Sequence, residues 1–134
     1  MTNLLKYLIP KAEVDHLDGG DTLRMAIEKM SHHHYTMIPV LGQQGHYLYS
    51  ISTGDILFYL TQNDLTLRQM ESVPLETVPI HRPIMALPAT CSEKEVGRAL
   101  LSQNYVPLVD ERGIFIGIIT RKRLVSALSG EEEA

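Results

Sequence analysis

The chain has 134 residues, 44% of them hydrophobic, and a formal net charge of −4. That length supports one ordinary domain or two very small ones, and the acidic balance excludes the basic face of a nucleic-acid binder. A single Cys91 excludes an internal disulfide, no apolar run is long enough to cross a bilayer, and residues 1–20 lack the apolar core of a signal peptide, so a cytoplasmic protein without membrane or nucleic-acid partners is expected.

In chain order, Val14–Leu17 reads as a short extended segment, and Asp18-Gly19-Gly20-Asp21 is turn chemistry. Asp21 or Thr22 caps a helix whose apolar face is Leu23, Ala26, Ile27 and Met30. The run His32-His33-His34 falls in a helix-terminal loop. Adjacent residues on a helix diverge, and no cysteine or acid stands nearby at ligand spacing, so no metal is expected there. Thr36–Leu41 is a strand, Gly42–Gly45 a hairpin loop, Tyr47–Ser52 a strand, and Gly54–Leu60 a helix with Ile56, Leu57 and Leu60 inward. Asp64–Ser72 is a short helix, and the proline-bearing stretch Pro74–Pro83 follows it. The second half gives a strand over 84–87, a helix from Ser92 and a strand over 105–109. A turn at Asp110–Gly113, a strand over 114–119 and a helix ending at Leu128 complete it. Cys91 is a small residue near a helix start, and Glu131–Glu133 is a solvated end.

These elements are written twice. A shift of 68 residues aligns Ile38-Pro39-Val40 with Val106-Pro107-Leu108, and Ser52 with Thr120. Upstream the shift becomes 70, aligning Leu17 with Leu87, Thr22 with Ser92 and Met30 with Leu100. The second copy is therefore two residues shorter between its first helix and the next strand. The division is 1–62 for the first repeat with a short N-terminal segment, 63–77 for a linker, and 78–134 for the second repeat with its acidic tail. Each copy reads strand, helix, strand, strand, helix, and its first crossover joins strands expected to be parallel. Some fifty residues make a marginal core alone. The expected architecture is α+β: two β-α-β-β-α repeats packed sheet to sheet with pseudo-two-fold symmetry.

"DTLRMAIEKMSHHHYTMIPV", "SISTGD" and "NYVPLVDERGIFIGIITRK" together resemble the CBS domain family, whose members occur as tandem pairs called Bateman modules. The resemblance covers roughly residues 7–61 and 78–128. It implies a regulatory module, not an enzyme, that binds adenine nucleotides in clefts between the repeats and acts on a separate, unidentified protein by changing shape or partner affinity. No cofactor is implied, and no nucleophile-base-acid set, glycine-rich phosphate loop or zinc signature is present. The ligand is AMP, ADP or ATP on one reading. It is cyclic di-AMP on another, since some small stand-alone bacterial CBS proteins that bind it are similar at "VDHL" and "GIITRK". A protein-interaction module without a small ligand is the third. The resemblance also implies a homodimer, for which the helical faces carrying Met25, Met30, Leu57 and Leu101 are the candidates.

The residues bear on a nucleotide site directly. Ser52 and Thr120 each sit where a strand opens into a helix, and helix starts offer unpaired N–H groups and a positive dipole end to a phosphate. Asp55, three residues after Ser52, matches the family's ribose-binding acid; a purely structural alternative is an N-cap with a capping-box acid. Its counterpart is Arg123, which cannot accept hydrogen bonds but can grip phosphate beside Arg121 and Lys122. So the first site reads as ribose-friendly and the second as phosphate-friendly or without nucleoside binding. By resemblance, Met37 and Tyr105, before the Pro39 and Pro107 pairs, line the base pocket. Val14, Asp15 and His16, with their counterparts ending at Ala86, supply backbone contacts to the base. Core packing or a surface strand end is the plain alternative for these.

Overall fold

The computed structural model describes residues 4–130; the acidic run Glu131–Glu133 lies outside them. Among these residues the chain forms β1 (Ile9–Pro10), β2 (Leu17–Asp18), α1 (Leu23–His33), β3 (Met37–Leu41), β4 (Tyr47–Ser52), α2 (Thr53–Asn63), α3 (Leu67–Met70), β5 (Leu87–Pro88), α4 (Glu93–Ala99), β6 (Tyr105–Val109), β7 (Phe115–Thr120) and α5 (Arg121–Leu128). They divide into two compact units, residues 15–83 and residues 1–14 with 84–134.

The first unit holds a sheet of order β2-β3-β4, with β2 parallel and β4 antiparallel to β3. Its α1 starts where the Thr22 hydroxyl accepts from the Met25 N–H and ends at His34, which takes the left-handed conformation. Leu23, Ala26 and Met30 fall at one face of α1 and enter a core with Leu17, Ile38, Val40, Ile51 and Ile56. Met30 is 3% exposed, which corrects its placing on a dimer face: the spacing that brings Leu23 and Ala26 inward brings Met30 with them. Leu57 is 63% exposed, correcting its inward placing. The inward stripe of α2 is Ile56, Tyr59 and Leu60, and Leu57 is rotated off it by one residue. The histidine run lies mostly within the helix, since α1 reaches His33 where α4 stops at Ala99.

Residues after α2 return to this same core through Met70, Leu75 and Val78. The Leu23 N–H donates to the Val73 carbonyl, and the Leu75 N–H to the Asp21 carbonyl.

The second unit holds a sheet of order β1-β7-β6-β5 and a core of its own around Val96, Leu100, Val106, Leu108 and Ile119. The internal register repeats that of the first unit. Met37 faces Ser52 as Tyr105 faces Thr120, and both hairpins bulge at the same place, Val40/Leu41 and Leu108/Val109. The initial strands are shorter than read from sequence, Leu17–Asp18 and Leu87–Pro88. The N-terminal segment, grouped with the first repeat by chain order, pairs with the second: β1 runs antiparallel to β7, Leu4 and Tyr7 enter its core, and the Tyr7 hydroxyl donates to Glu93 at 2.7 Å. Among the described residues no helix is long and apolar enough to cross a membrane.

Candidate functional site

Each repeat builds the same feature where its last strand becomes a helix. In the first, the Ser52 hydroxyl accepts from the Asp55 N–H at 3.0 Å and Asp55 Oδ2 accepts from the Ser52 N–H at 3.0 Å, a closed capping box. The Thr53 N–H donates to the Thr36 carbonyl. In the second, Thr120 accepts from the Arg123 N–H at 3.1 Å, and the Arg121 N–H donates to the Asn104 carbonyl, the counterpart of Thr36. Arg123 has no oxygen to return, so the second cap is one-sided. Both helix starts keep the orientation that favours an anion.

Around these caps the expected residues fall in two groups. In the first unit, Met37 stands across from Ser52 and buried Pro39 across from Ser50. Asp55, 6% exposed, gives its second oxygen, Oδ1, to the His81 N–H at 3.1 Å. Asp15 accepts from the Tyr35 hydroxyl, and the His16 carbonyl accepts from Lys29 Nζ at 2.6 Å. Tyr35 is the main cause that holds the Asp15 carboxyl below its usual range, and His33, Lys29 and His16 add to it. Val14 is half-buried and extended, and it ends the N-terminal segment grouped with the second unit.

In the second unit, Tyr105 stands across from Thr120 and Pro107 across from Ile118. Arg121 is tied inward: Nε donates to the Leu100 carbonyl at 2.8 Å and Nη2 to the Gln103 carbonyl at 2.9 Å. Half-buried Ala86 precedes β5. Sequence reasoning passed over Gln103, His81 and Tyr35. Gln103 is 8% exposed, and its amide holds the backbone of Met85 and the carbonyl of Tyr105. The signal was a long polar residue just ahead of an apolar strand, which reads equally well as a loop.

A separate groove of about 560 Å³ lies in the first unit between α1 and α2, lined by Ile27, Met30, Ile56, Leu57 and Leu60 together with polar residues such as Ser31 and Thr53. None of the expected nucleotide residues lines it. Among the described residues no group of three or more His, Cys, Asp or Glu is placed to hold a metal ion.

The paired caps, the parallel first crossover and the repeated bulge describe one unit used twice. The model of the CBS domain matches this sequence twice, over residues 8–62 and 75–130. The chain belongs to the CBS domain family. It is a tandem CBS pair, and its fold is shared with solved CBS structures. A CBS domain protein from Streptococcus pneumoniae TIGR4 is 26% identical, matched over 94% of this chain and 86% of that one, with a TM-score of 0.85. CbpB from Listeria monocytogenes, solved in complex with c-di-AMP, is 22% identical over 96% of each chain, with a TM-score of 0.82. Another CbpB, also solved with c-di-AMP, is 22% identical, matched over 97% of this CBS pair and 86% of that chain, with a TM-score of 0.86. No curated protein matches the sequence.

Proposed function

We propose that this CBS pair is a cytoplasmic regulatory module that binds an adenine nucleotide and signals by a change of shape or of affinity for a partner protein. It binds its ligand without converting it. The observation that carries the reading is the twice-built helix start, hydroxyl-capped in both repeats, with an acid at Asp55 and a base at Arg123. One chain thus offers a ribose acceptor and a phosphate donor at equivalent places. The remaining expected contacts, Val14, Asp15, His16, Met37, Pro39, Ala86, Tyr105, Pro107 and Arg121, belong to the same proposal.

Cyclic di-AMP is the first ligand to test, because two similar CBS structures were solved with it and because its two phosphates suit a basic helix start. AMP, ADP and ATP are the second reading, favoured by Asp55. Calorimetric titration of the purified protein with all four compounds tests the proposal. Binding of at least one, weakened about tenfold or more by Arg123→Ala or by Asp55→Ala, is the expected result. Flat titrations against the whole panel would leave a protein-interaction module instead. The module is also proposed to pair with a second copy through exposed Met25, Leu57 and Leu101, and light scattering showing only monomer at high concentration would reject that.

A further inference from the structure

We infer that the Gln103 side chain occupies the base position of the second repeat from within the chain, so that only the first repeat takes an adenine, on the backbone leading into β2. The inference rests on the reading of the chain as an adenine-nucleotide module and concerns which repeat reads the base.

An adenine presents an acceptor ring nitrogen beside its N6 donor, and the N–H and C=O of one backbone residue match that pair. The Gln103 amide presents the same pair to Met85, which leads into β5. Oε1 accepts from the Met85 N–H at 2.8 Å, and Nε2 donates to the Met85 carbonyl at 3.1 Å. Nε2 also donates to the Tyr105 carbonyl at 3.0 Å, so the amide, not a ligand, stands between Met85 and Tyr105. A carbonyl oxygen keeps a second lone pair, but an N–H has a single hydrogen. The Met85 N–H is therefore taken, and a base reaches it only by displacing the amide. Gln103 is 8% exposed and is fixed at its own backbone as well. Its N–H donates to the Ala99 carbonyl at 3.0 Å, and its carbonyl accepts from Arg121 Nη2 at 2.9 Å. Held in the chain, the amide competes without the association cost that a free nucleotide meets.

The first repeat has no such group. The counterparts of Gln103 and Met85 are Tyr35 and Asp15, and the Tyr35 hydroxyl goes to the Asp15 carboxylate, not to its backbone. The Tyr35 ring stacks on His33 and lines the groove between α1 and α2. Among the described residues neither the N–H nor the carbonyl of Asp15 is engaged. Beside it, Lys29 takes one lone pair of the His16 carbonyl and leaves the other. The difference follows the lengths of the two copies. α1 continues to His33, whereas α4 stops at Ala99, and the shorter connection to β6 carries a side chain long enough to turn back on Met85.

Hydrogen exchange, read residue by residue by NMR, tests this with AMP and with cyclic di-AMP, calorimetry showing which of them binds. In wild-type protein without nucleotide, the Met85 N–H should be protected and the Asp15 N–H should exchange freely. Saturation with a nucleotide that binds should slow exchange at Asp15 about tenfold or more, and leave Met85 and the Gln103 side-chain amide as they were. Gln103→Met keeps the length of the side chain and removes the amide. Its Met85 N–H should exchange freely without nucleotide and gain protection with it. The wild-type readings carry the test if this variant misfolds. Four results would each overturn the inference and leave the nucleotide-module reading standing: an Asp15 N–H that a bound nucleotide does not protect, release of the Gln103 side-chain protons on binding, a folded Gln103→Met whose Met85 N–H gains no protection, or binding by the variant alone. If neither wild type nor Gln103→Met binds either nucleotide, the module reading fails and the inference falls with it.

Discussion

Gln103 holds Met85 by both polar groups of its backbone: Oε1 accepts from the Met85 N–H at 2.8 Å, and Nε2 donates to the Met85 carbonyl at 3.1 Å. The amide therefore behaves like one more residue of a neighbouring strand, extending the β5–β6 pairing beyond the short β5. Its third bond, to the Tyr105 carbonyl at 3.0 Å, anchors the clamp to β6. At the shift that relates the repeats, Gln103 corresponds to Tyr35 and Met85 to Asp15. The first repeat closes the same gap differently, with the Tyr35 hydroxyl donating to the Asp15 carboxylate. One solution is buried and uncharged; the other is a part-buried acid–phenol pair.

Gln103→Ala should lower the stability of the second unit by about 1–3 kcal/mol, since it strips partners from the Met85 and Tyr105 backbone. Gln103→Glu should be worse at neutral pH than at acid pH, because a carboxylate would face two carbonyls. Urea melts at two pH values would check both, and a neutral Gln103→Ala would show that the clamp carries no stability.

The Asp15–Tyr35 pair makes a pH prediction. Asp15 titrates below its usual value in the folded protein, chiefly through the Tyr35 hydroxyl. A depressed folded pKa means that the pair stabilises above the unfolded pKa, about 3.9, and that this stabilisation is lost as pH falls through the lower folded value. Tyr35→Phe should cost stability at pH 7, where the pair is fully formed, and cost nothing once Asp15 is protonated in the folded and unfolded states alike, so the acid limb below about pH 4 is flattened. Thermal melts between pH 2.5 and 7 would decide it, and identical acid limbs would sink it.

Arg121, beside its proposed ligand contact, should carry a stability role that Arg123 does not. Arg121→Ala removes two bonds to backbone carbonyls at the end of α4 and should cost about 1–3 kcal/mol of stability. Arg121→Lys should recover only part of this, because an ammonium cannot span both carbonyls as the planar fork does. Arg123→Ala should leave stability within about 0.5 kcal/mol and act on nucleotide affinity. Chemical denaturation alongside calorimetry would check this, and equal stabilities of Arg121→Ala and Arg123→Ala would contradict it.

Two glycines should respond with opposite signs. A Cβ on Gly117 would stand 2.3 Å from the Ile9 carbonyl oxygen, at a φ of +154°. Gly117→Ala should undock β1 and cost about 2–4 kcal/mol, visible as faster amide exchange and proteolysis before Val14. Gly97 lies within α4, and a Cβ there meets nothing within 4 Å. Gly97→Ala should stabilise by about 0.5–1 kcal/mol. A destabilised Gly97→Ala would mean that α4 is more crowded than this geometry allows.

Cys91 should be inert in the native protein. Burial pushes its thiol above the ordinary range, with Glu95 adding to the effect. Alkylation by iodoacetamide at pH 8 should be slow in buffer and rapid in denaturant; equal rates would contradict the buried placement.

Much of this fold was legible in the residues. Alternation over Tyr47–Ser52 and the Ile-Pro-Val and Val-Pro-Leu strands set the sheets, and hydroxyls at Thr22, Ser52, Ser92 and Thr120 marked four helix starts that the structure caps in just that way. The helix-start half of the candidate site was legible for the same reason, since a cap is made by residues three apart. Inward faces were harder: Leu57 is as apolar as Ile56, and only the placement of α2 on its sheet tells them apart.

The amino-acid order by itself determined that one β-α-β-β-α unit is written twice, that its helix starts carry hydroxyls, and that an acid in one copy is a base in the other. Tertiary structure decided which distant backbone groups those residues meet: that β1 lies on β7 where Gly117 leaves room, that Gln103 stands in for a strand beside Met85, and that His81 returns to Asp55. The division has a physical cause. Periodicity and capping are satisfied within a few residues of chain, whereas a buried N–H or carboxylate must be satisfied by whatever the packed chain brings to it, and nothing local in the sequence records that choice.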